Sequence, residues 1–499
     1  MAERSFGPGG ITRRAFVGGA LAAGFTLATG CARDTRVAIP NDRIGAVEAA
    51  RPHSGRTVAV ELNPQRAHID LGGRVATTLA YGDTVPGPLI RAGVGDELAV
   101  TVKNRLDHST SVHWHGIALR NDMDGAAPAS PDIDAGTDFV YRFSVPHPGT
   151  YWAHPHTGLD ADTGLYVPII VDDTDPVRYD AEWIVVLDDW TDGIGPTPVQ
   201  IYDGLRGSGT PGMGGMPGMA GMHGMGGAGS SLLGGDAGDV MYPYYLINGR
   251  IPAAPTTHTA KPGQRIKIRI VNAGSDTAFR VALAGHRMTV THADGFPVEP
   301  TESEAVLVGM GERYDVTVTA GDGVFPLVAA AEGKEAVARA LLKTGAGTAP
   351  EPAYRPPELT GRVATVDSLT ATPEVDLGPA KPDTKLTAEL SGGMMAYDWT
   401  INGRPFSDAE PLTVEQGQRV SLTFSNMSMM WHPMHLHGHT FQVVKPDGGP
   451  GARKDTVIVQ PMARLTVEFV ADNPGEWMLH CHNTYHQQAG MMTSLNYIA

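Results

Sequence analysis

The sequence predicts an all-β protein made of several β-sandwich or barrel domains, and three features indicate this. The chain has 499 residues, which is enough for roughly three or four domains. It contains 62 Gly and 38 Pro, too many for a mainly helical protein. Its apolar runs are short, β-branched and bounded by turn residues, as in RIKIRIVN (265–272) and RYDVTVTA (313–320). This pattern is typical of many short strands.

The N-terminus predicts export. TRRAF (12–16) carries twin arginines, and an apolar stretch too short to span a membrane follows it. It resembles a twin-arginine (Tat) signal, and LATGC (27–31) resembles a lipoprotein cleavage site that ends at Cys31. The alternative is an ordinary cleaved signal with an incidental cysteine. We therefore expect a Tat signal with a lipobox over 1–31, and a protein anchored through Cys31 to the outer face of the cytoplasmic membrane.

The net charge of −16 argues against a nucleic acid partner, because the part of the chain after the signal has no basic stripe. A cationic substrate would be attracted by this charge, although solubility alone also explains it.

Three segments repeat a common pattern: GDELAVTVKN from Gly95, GQRIKIRIVN from Gly263 and GQRVSLTFSN from Gly417. Each begins with Gly, alternates as a strand and ends in Asn nine residues later. INGR precedes the second and third segments at the same distance. These matches predict three related β-domains, at 55–173, 174–350 and 385–499, with linkers at 32–54 and 351–384.

Domains 1 and 3 carry histidines in pairs, and domain 2 does not. Alternate residues of a strand point to the same face, so each His-x-His motif presents two imidazoles side by side. Val281 and Leu283 of domain 2 stand where the other domains have one of these pairs. Eight imidazoles from two domains predict a multi-metal cluster between them. The pairs are His113/His115, His154/His156, His435/His437 and His480/His482.

Cys481 lies between two of these histidines and should point away from the cluster. On its side His432, His486 and Met491 could converge with it. A thiolate, two imidazoles and a weak thioether are typical of a blue-copper electron-transfer site. The rival is a tetrahedral zinc site, which rarely uses Met.

The motifs HWHG, HPH, HPMHLHGH and HCHNTYHQQAGM resemble those of the multicopper oxidases, over about residues 55–499. The resemblance implies three cupredoxin-like Greek-key domains and four copper ions, with O₂ as the electron acceptor. It implies that His113 and His435 hold the type 2 copper. It assigns the type 1 copper to His432, Cys481, His486 and Met491. It assigns the type 3 pair to His115, His154, His156, His437, His480 and His482, and the expected electron path to the trinuclear centre runs through Cys481, His480 and His482.

The resemblance also implies a proton relay. Asp124, in NDMDG, matches a carboxylate that the family has near the trinuclear centre; its alternative role is to form the turn before Gly125. Many relatives have an acidic residue directly after the second type 1 histidine. Here this residue is Gln487, which cannot ionise.

Methionines suggest the substrate. Five of them recur at intervals of three within the Gly-rich segment 211–227, which Gly and Pro prevent from being helical. Thioethers favour Cu(I), so recruitment of Cu(I) is expected here; the alternative is a plain linker. Met427, Met429 and Met430 precede His432 and either bind Cu(I) or pack in the core. The five are Met213, Met216, Met219, Met222 and Met225.

The sequence therefore predicts an exported oxidase that converts Cu(I) to Cu(II) with O₂ and also accepts phenols. The first alternative is a general laccase acting on phenolics, which has the same ligand motifs but no need of a Met-rich segment. The second alternative is a non-enzymatic, copper-binding cupredoxin protein, which would not need Cys481 between two cluster ligands. Copper nitrite reductase fits less well, because that family lacks four His-x-His pairs.

Overall fold

The computed structural model describes residues 41–173, 179–207 and 229–498. The expected signal, Cys31 and the methionines at 213–225 lie outside this range. Strands dominate the described residues and form three consecutive sets of sheets, which confirms the predicted all-β class. Within these residues, no helix combines the length and the apolar character needed to cross a bilayer.

The first set of sheets holds the strand order β1-β5-β7 and β4-β9-β8-β6, with β2-β3 as a separate hairpin. Helix α1 (Asn41–Ala50) precedes these strands, and short 3-10 helices lie at Asn121–Met123 and Asp160–Asp162. The strands are β1 (Thr57–Leu62), β2 (Pro64–Asp70), β3 (Val75–Tyr81), β4 (Ile90–Gly93), β5 (Glu97–Lys103), β6 (His113–His115), β7 (Asp138–Ser144), β8 (Gly149–His154) and β9 (Val167–Asp172).

The second set consists of two six-stranded sheets, β11-β10-β13-β18-β15-β16 and β12-β20-β19-β14-β17-β21. Helix α2 (Pro198–Gly207) follows β10, and 3-10 helices lie at Ser231–Leu233, Pro357–Thr360 and Val366–Ser368. The strands are β10 (Ala181–Trp190), β11 (Tyr244–Ile247), β12 (Thr257–Thr259), β13 (Arg265–Asn272), β14 (Phe279–Leu283), β15 (Met288–Ala293), β16 (Phe296–Ser303), β17 (Ala305–Val308), β18 (Arg313–Thr319), β19 (Val324–Ala331), β20 (Val337–Lys343) and β21 (Val363–Ala364).

The third set has the orders β23-β22-β25-β30-β27-β28 and β24-β32-β31-β26-β29. A 3-10 helix lies at Phe406–Asp408, and helix α3 (Thr484–Gln488) follows β31. The strands are β22 (Thr384–Gly393), β23 (Asp398–Ile401), β24 (Leu412–Glu415), β25 (Arg419–Asn426), β26 (His432–Leu436), β27 (Phe441–Val444), β28 (Pro450–Lys454), β29 (Thr456–Val459), β30 (Arg464–Val470), β31 (Glu476–Cys481) and β32 (Met492–Ile498).

The repeated Asn performs the same task in all three sets of sheets. Asn104, Asn272 and Asn426 are buried, and each accepts a hydrogen bond from the backbone N–H two residues later. Each side-chain amide also donates to backbone carbonyls of two neighbouring loops. An Asn can do both because its side chain is donor and acceptor at once. The repeat therefore reflects a turn that follows the strand in each domain.

The strands that carry the histidine pairs have a counterpart without histidine. His113 of β6 faces His154 of β8, and His435 of β26 faces His480 of β31. In the second set Val281 of β14 faces Ala329 of β19, and both are fully buried. In domain 2, buried hydrophobic residues thus occupy the positions at which domains 1 and 3 carry histidines.

Candidate metal centres

Eight imidazoles from the first and third sets of sheets meet in one buried cluster. Strands β6 and β8 contribute one half, and β26 with β31 contributes the other. The two halves touch where His113 Nε2 lies 3.4 Å from His435 Nε2 and where the rings of His156 and His480 lie 4.9 Å apart. The pairing that the strand spacing predicted is therefore present across the domain boundary.

The cluster resolves into groups whose ligand atoms all lie within 4.8 Å of one another. One group joins His115, His154 and His482, and another joins His156, His437 and His480. His113 belongs to two further groups, one with His115 and His435 and one with His154 and His156. These overlapping groups offer enough imidazoles for several metal ions, and the assignment of single rings to type 2 and type 3 ions stays a prediction.

Several of these rings have one nitrogen held by a neighbouring protein group. Nδ1 of His154 and of His480 donates to the carbonyls of Pro155 and Cys481. His437 Nδ1 lies 2.8 Å from Asp124 Oδ2, while His113 Nδ1 contacts the Asp124 carbonyl at 3.1 Å. Ring nitrogens with no hydrogen-bond partner among the described residues are His115 Nδ1, His154 Nε2, His156 Nε2 and both nitrogens of His482.

The electrostatics of the cluster suit a metal. Burial and the neighbouring imidazoles hold the pKa of most of these rings well below the ordinary value, so the rings stay neutral. Neutral imidazole is the form that binds metal, and buried nitrogens without partners are costly unless a cation binds them. The rings with a strongly lowered pKa are His115, His154, His156, His437, His480 and His482.

Cys481 lies on the opposite face of β31, as the alternation of the strand predicted. It pairs with Met434, whereas His480 pairs with His435. Its sulfur lies 3.6 Å from Nδ1 of His432 and 3.6 Å from Nδ1 of His486, and the two nitrogens are 3.1 Å apart. This free, fully buried cysteine thus has two imidazoles pointing at it, which is the donor set of a blue-copper site.

The outer nitrogens of these two histidines have different partners. Ser428 Oγ lies 2.8 Å from His432 Nε2, and Asp239 Oδ2 lies 3.0 Å from His486 Nε2. Tyr397, buried with a left-handed backbone (φ 47°), donates its hydroxyl to the same carboxylate at 2.6 Å. Burial alone would lower the pKa of His486, but its hydrogen bonds to Asp239 and Cys481 outweigh burial and raise this pKa to about 10.

The remaining predicted residues lie near these centres. Met491 is fully buried, and its carbonyl accepts from the backbone N–H of Cys481. Met430 is buried in the hydrophobic core, whereas Met429 is 75% exposed. The side-chain amide of Gln487 lies 3.5 Å from His156 Nδ1.

Sequence reasoning missed three charged residues that contact the ligands or their partners: Asp239, Arg313 and Asp455. Asp455 Oδ1 lies 3.1 Å from His115 Nε2, and Arg313 grips that carboxylate with two hydrogen bonds. None of the three belongs to a spaced histidine motif, and two come from the domain without metal ligands. The sequence feature that could have identified such residues is a charged residue inside or beside an apolar strand, as in RYDVTV.

Comparisons with known proteins agree with this geometry. Three family models, each described as multicopper oxidase, match residues 64–176, 181–348 and 379–498. Multicopper oxidase MmcO from Mycobacterium tuberculosis is 60% identical and covers 98% of this chain and 97% of its own. The copper resistance protein A homolog from Pseudomonas syringae pv. tomato is 28% identical, covering 97% and 98%.

Among solved structures, a laccase from B. aclada superimposes with a TM-score of 0.73 at 25% identity, covering 90% of this chain and 89% of that one. The prediction of three cupredoxin-like domains is confirmed. The chain belongs to the multicopper oxidase family, an oxidoreductase family that carries four copper ions of types 1, 2 and 3 and uses O₂ as the oxidant.

Proposed function

We propose that this multicopper oxidase converts Cu(I) to Cu(II) in copper resistance and also oxidises phenols. The observation that carries this is a group of exposed methionines next to the residues that contact His432 and His486. Thioethers are soft ligands suited to Cu(I), and a group of exposed apolar side chains is more often functional than a single one. The copper resistance protein among the relatives supports the same role. The group comprises Met394, Met395, Met427, Met429 and Met462, which are 41 to 88% exposed.

Hydrogen bonds tie this surface to the type 1 ligands. The backbone N–H of Met462 donates to the Ser428 carbonyl, and the Ser428 hydroxyl contacts His432. On the other side, Met395 lies two residues before Tyr397, which contacts Asp239 and through it His486. The methionines are therefore connected through one or two neighbouring residues to the hydrogen-bond partners of both imidazoles.

The described residues at both ends of the Met-rich segment also contact this region. In helix α2, Tyr202 donates to the carbonyl of Gln488, two residues after His486. At the other end the Leu232 carbonyl accepts from Gln460, and Leu233 packs in one cluster with Trp431, beside His432. The described residues before and after the segment thus contact residues near the type 1 ligands, which supports a role for its methionines in Cu(I) recruitment.

The proposed ligand assignment is the one that the family resemblance implies, and the proximity of these histidines supports it. His113 and His435 would hold the type 2 ion, and the two three-histidine groups would hold the type 3 pair. The type 1 ion would be held by His432, Cys481, His486 and Met491. When bound, the four ions supply one-electron oxidation of the substrate and reduction of O₂ to water.

The chain itself must deliver protons for this water. Asp124 is buried and contacts His437, with its second oxygen 3.3 Å from His113 Nδ1. We propose that this carboxylate passes protons to the trinuclear centre. Gln487, beside His156, cannot perform this task because an amide does not ionise at neutral pH.

We further propose that the chain is exported by its Tat signal and anchored by lipid at Cys31 on the outer face of the cytoplasmic membrane. The sequence motifs support this location. Labelling with a radioactive fatty acid, compared between wild type and Cys31→Ser, tests the anchor.

The substrate is tested by replacing the five methionines of 213–225 with Ser, which keeps the length of the segment. A second variant replaces Met427, Met429 and Met462. Steady-state O₂ uptake is measured with Cu(I) and with a phenol. We expect the rate with Cu(I) to fall at least tenfold more than the rate with the phenol. Equal losses on both substrates would favour the general laccase instead.

A further inference from the structure

A cluster of buried charges joins the second set of sheets to the third. Its five side chains are at most 2% exposed. Buried charges are expensive to desolvate, and a network of them is not explained by stability alone. The members are Asp294, Glu312, Arg313, Lys454 and Asp455, connected by the pairs Arg313–Asp455, Arg313–Asp294, Lys454–Asp294 and Lys454–Glu312.

Asp455 connects this cluster to two of the imidazoles. Its Oδ1 lies 3.1 Å from His115 Nε2, and its carbonyl accepts from His435 Nδ1 at 2.9 Å. A proton on His115 Nε2 leaves the lone pair on Nδ1, which is the buried nitrogen without a partner. The Thr456 hydroxyl contacts the same two nitrogens, at 3.0 Å from His115 Nε2 and 3.1 Å from His435 Nδ1. Asp455 and Thr456 together thereby fix the nitrogen that each ring presents to the cluster.

Arg313 fixes Asp455 in turn. Both of its terminal nitrogens lie 2.7 Å from the two carboxylate oxygens, a two-point geometry that Lys cannot reproduce. Its Nε donates to the carbonyl of Thr150 in β8, the strand that carries His154. Arg313 thus contacts all three sets of sheets.

Glycines show how closely this arginine and its loop approach the histidines. Gly116 follows His115 with φ +85°, and a Cβ there would overlap the Arg313 guanidinium. At Gly311, in the loop before Arg313, a Cβ would lie 2.8 Å from His482 Cδ2 and 2.9 Å from His115 Cε1. The domain without ligands therefore forms one wall of the cluster.

We propose that Arg313 is a positioning residue for the trinuclear centre: it holds Asp455 so that His115 offers Nδ1 and His435 offers Nε2 to the metal. The inference rests on the proposed ligand assignment. It gives domain 2 a part in the oxygen-reducing centre in addition to separating its two neighbours.

The test compares Arg313→Lys and Asp455→Asn with the matched control Arg269→Lys. Arg269 is a buried arginine of the same domain that also bonds a buried carboxylate, Asp315, and contacts Thr150. Copper per chain, the blue type 1 absorption and the type 2 electron paramagnetic resonance signal are measured on copper-loaded protein, together with chelator titration.

We expect both test variants to keep the blue colour, to change the type 2 signal and to bind type 2 and type 3 copper about 10- to 100-fold more weakly. The control should keep all four ions and a wild-type type 2 signal. Wild-type copper affinity and type 2 signal in both test variants would overturn the inference, as would equal copper loss in the control. If Arg313→Lys does not fold, the isosteric Asp455→Asn decides alone. A wild-type protein without type 2 and type 3 copper would instead refute the ligand assignment.

Discussion

Asp124 illustrates how one side chain serves two ligands. It follows a 3-10 helix, and Gly125 behind it has φ +77°; a Cβ there would overlap the Val112 carbonyl. This tight turn brings the carboxylate under His437 and His113. The sequence alone left open whether Asp124 only forms the turn; in the structure it forms the turn and contacts both rings.

Replacing Asp124 with Asn should keep the contact to His437, because the amide oxygen still accepts a hydrogen bond. Proton delivery should be lost, and kcat for O₂ reduction should fall about 10²-fold or more. Copper content and O₂ uptake check this, with Asp124→Glu as the ionisable control. Full turnover by a copper-loaded Asn variant would contradict the relay role.

Asp239 should tune the type 1 site through His486. A carboxylate that accepts from Nε2 makes the imidazole a stronger donor and stabilises the oxidised metal. Asp239→Asn should therefore raise the type 1 reduction potential, measured by redox titration of the blue band. Ser428→Ala, at the other histidine, removes only a neutral partner and should shift the potential less. A lower potential in the Asn variant would show that the carboxylate does not act in this way.

The part of the two centres that the sequence could predict depends on the alternation of residues within single strands. Along β26 and β31 the residues alternate, so His435 and His480 face the cluster while Met434 and Cys481 face the other way. Period-two alternation is local and can be read from spacing. The contact of Asp455 with His115 could not be predicted in this way, because it depends on how β6 and β29 are brought together by two different domains.

The INGR hairpin shows a second local rule. Asn248 has φ 52°, accepts from the backbone of Val186 and donates to Ile184. Asn402 repeats the left-handed conformation and both bonds: it accepts from the backbone of Glu389 and donates to Thr387. Asn is one of the few residues besides Gly that adopts this conformation readily.

Asn248→Ala should destabilise the fold by about 2–3 kcal/mol, since it combines backbone strain with the loss of two hydrogen bonds. Asn248→Gly removes the bonds but not the conformation and should cost about 1–2 kcal/mol. Denaturant unfolding of copper-loaded protein measures both. Equal stability of the Ala and Gly variants would show that the backbone is unstrained.

At the scale of the molecule, spacing predicted three domains and a histidine cluster between the first and the third, but not how the second domain contacts that cluster. The eight histidines could be assigned to one cluster because domains 1 and 3 each contribute two His-x-His pairs at equivalent positions. The sequence could not assign Asp239, Arg313 and Asp455 to these centres, since each of them contacts a residue of another domain. Domain 2 also carries no histidine motif that would indicate its part in the site. The methionines at 213–225 remain a prediction.

Stability of the whole molecule should fall in acid. Burial lowers the pKa of His147 and of His292 to about 4, whereas an unfolded histidine titrates near 6.5. The unfolded chain therefore binds more protons between these values, so stability is complete above about pH 6.5 and is lost as the pH falls towards 4.

Each ring should contribute about 1–3 kcal/mol to this loss. Denaturant unfolding of copper-loaded wild type at pH 7.5 and 5 measures it. A double variant with Gln at both positions should show a smaller difference between the two pH values. An unchanged difference would assign the acid sensitivity to other groups.

The approach of His113 to His435 joins positions 322 residues apart along the chain. An ion gripped by both rings would act as a cross-link that closes this long loop, much as a disulfide does. In the chain-entropy description, closing a loop of that length lowers the conformational entropy of the denatured chain and so raises its free energy by about 6 kcal/mol. The copper ion would then stabilise the fold in addition to taking part in the reaction. Removing it with a chelator should shorten the lifetime of the folded protein in denaturant.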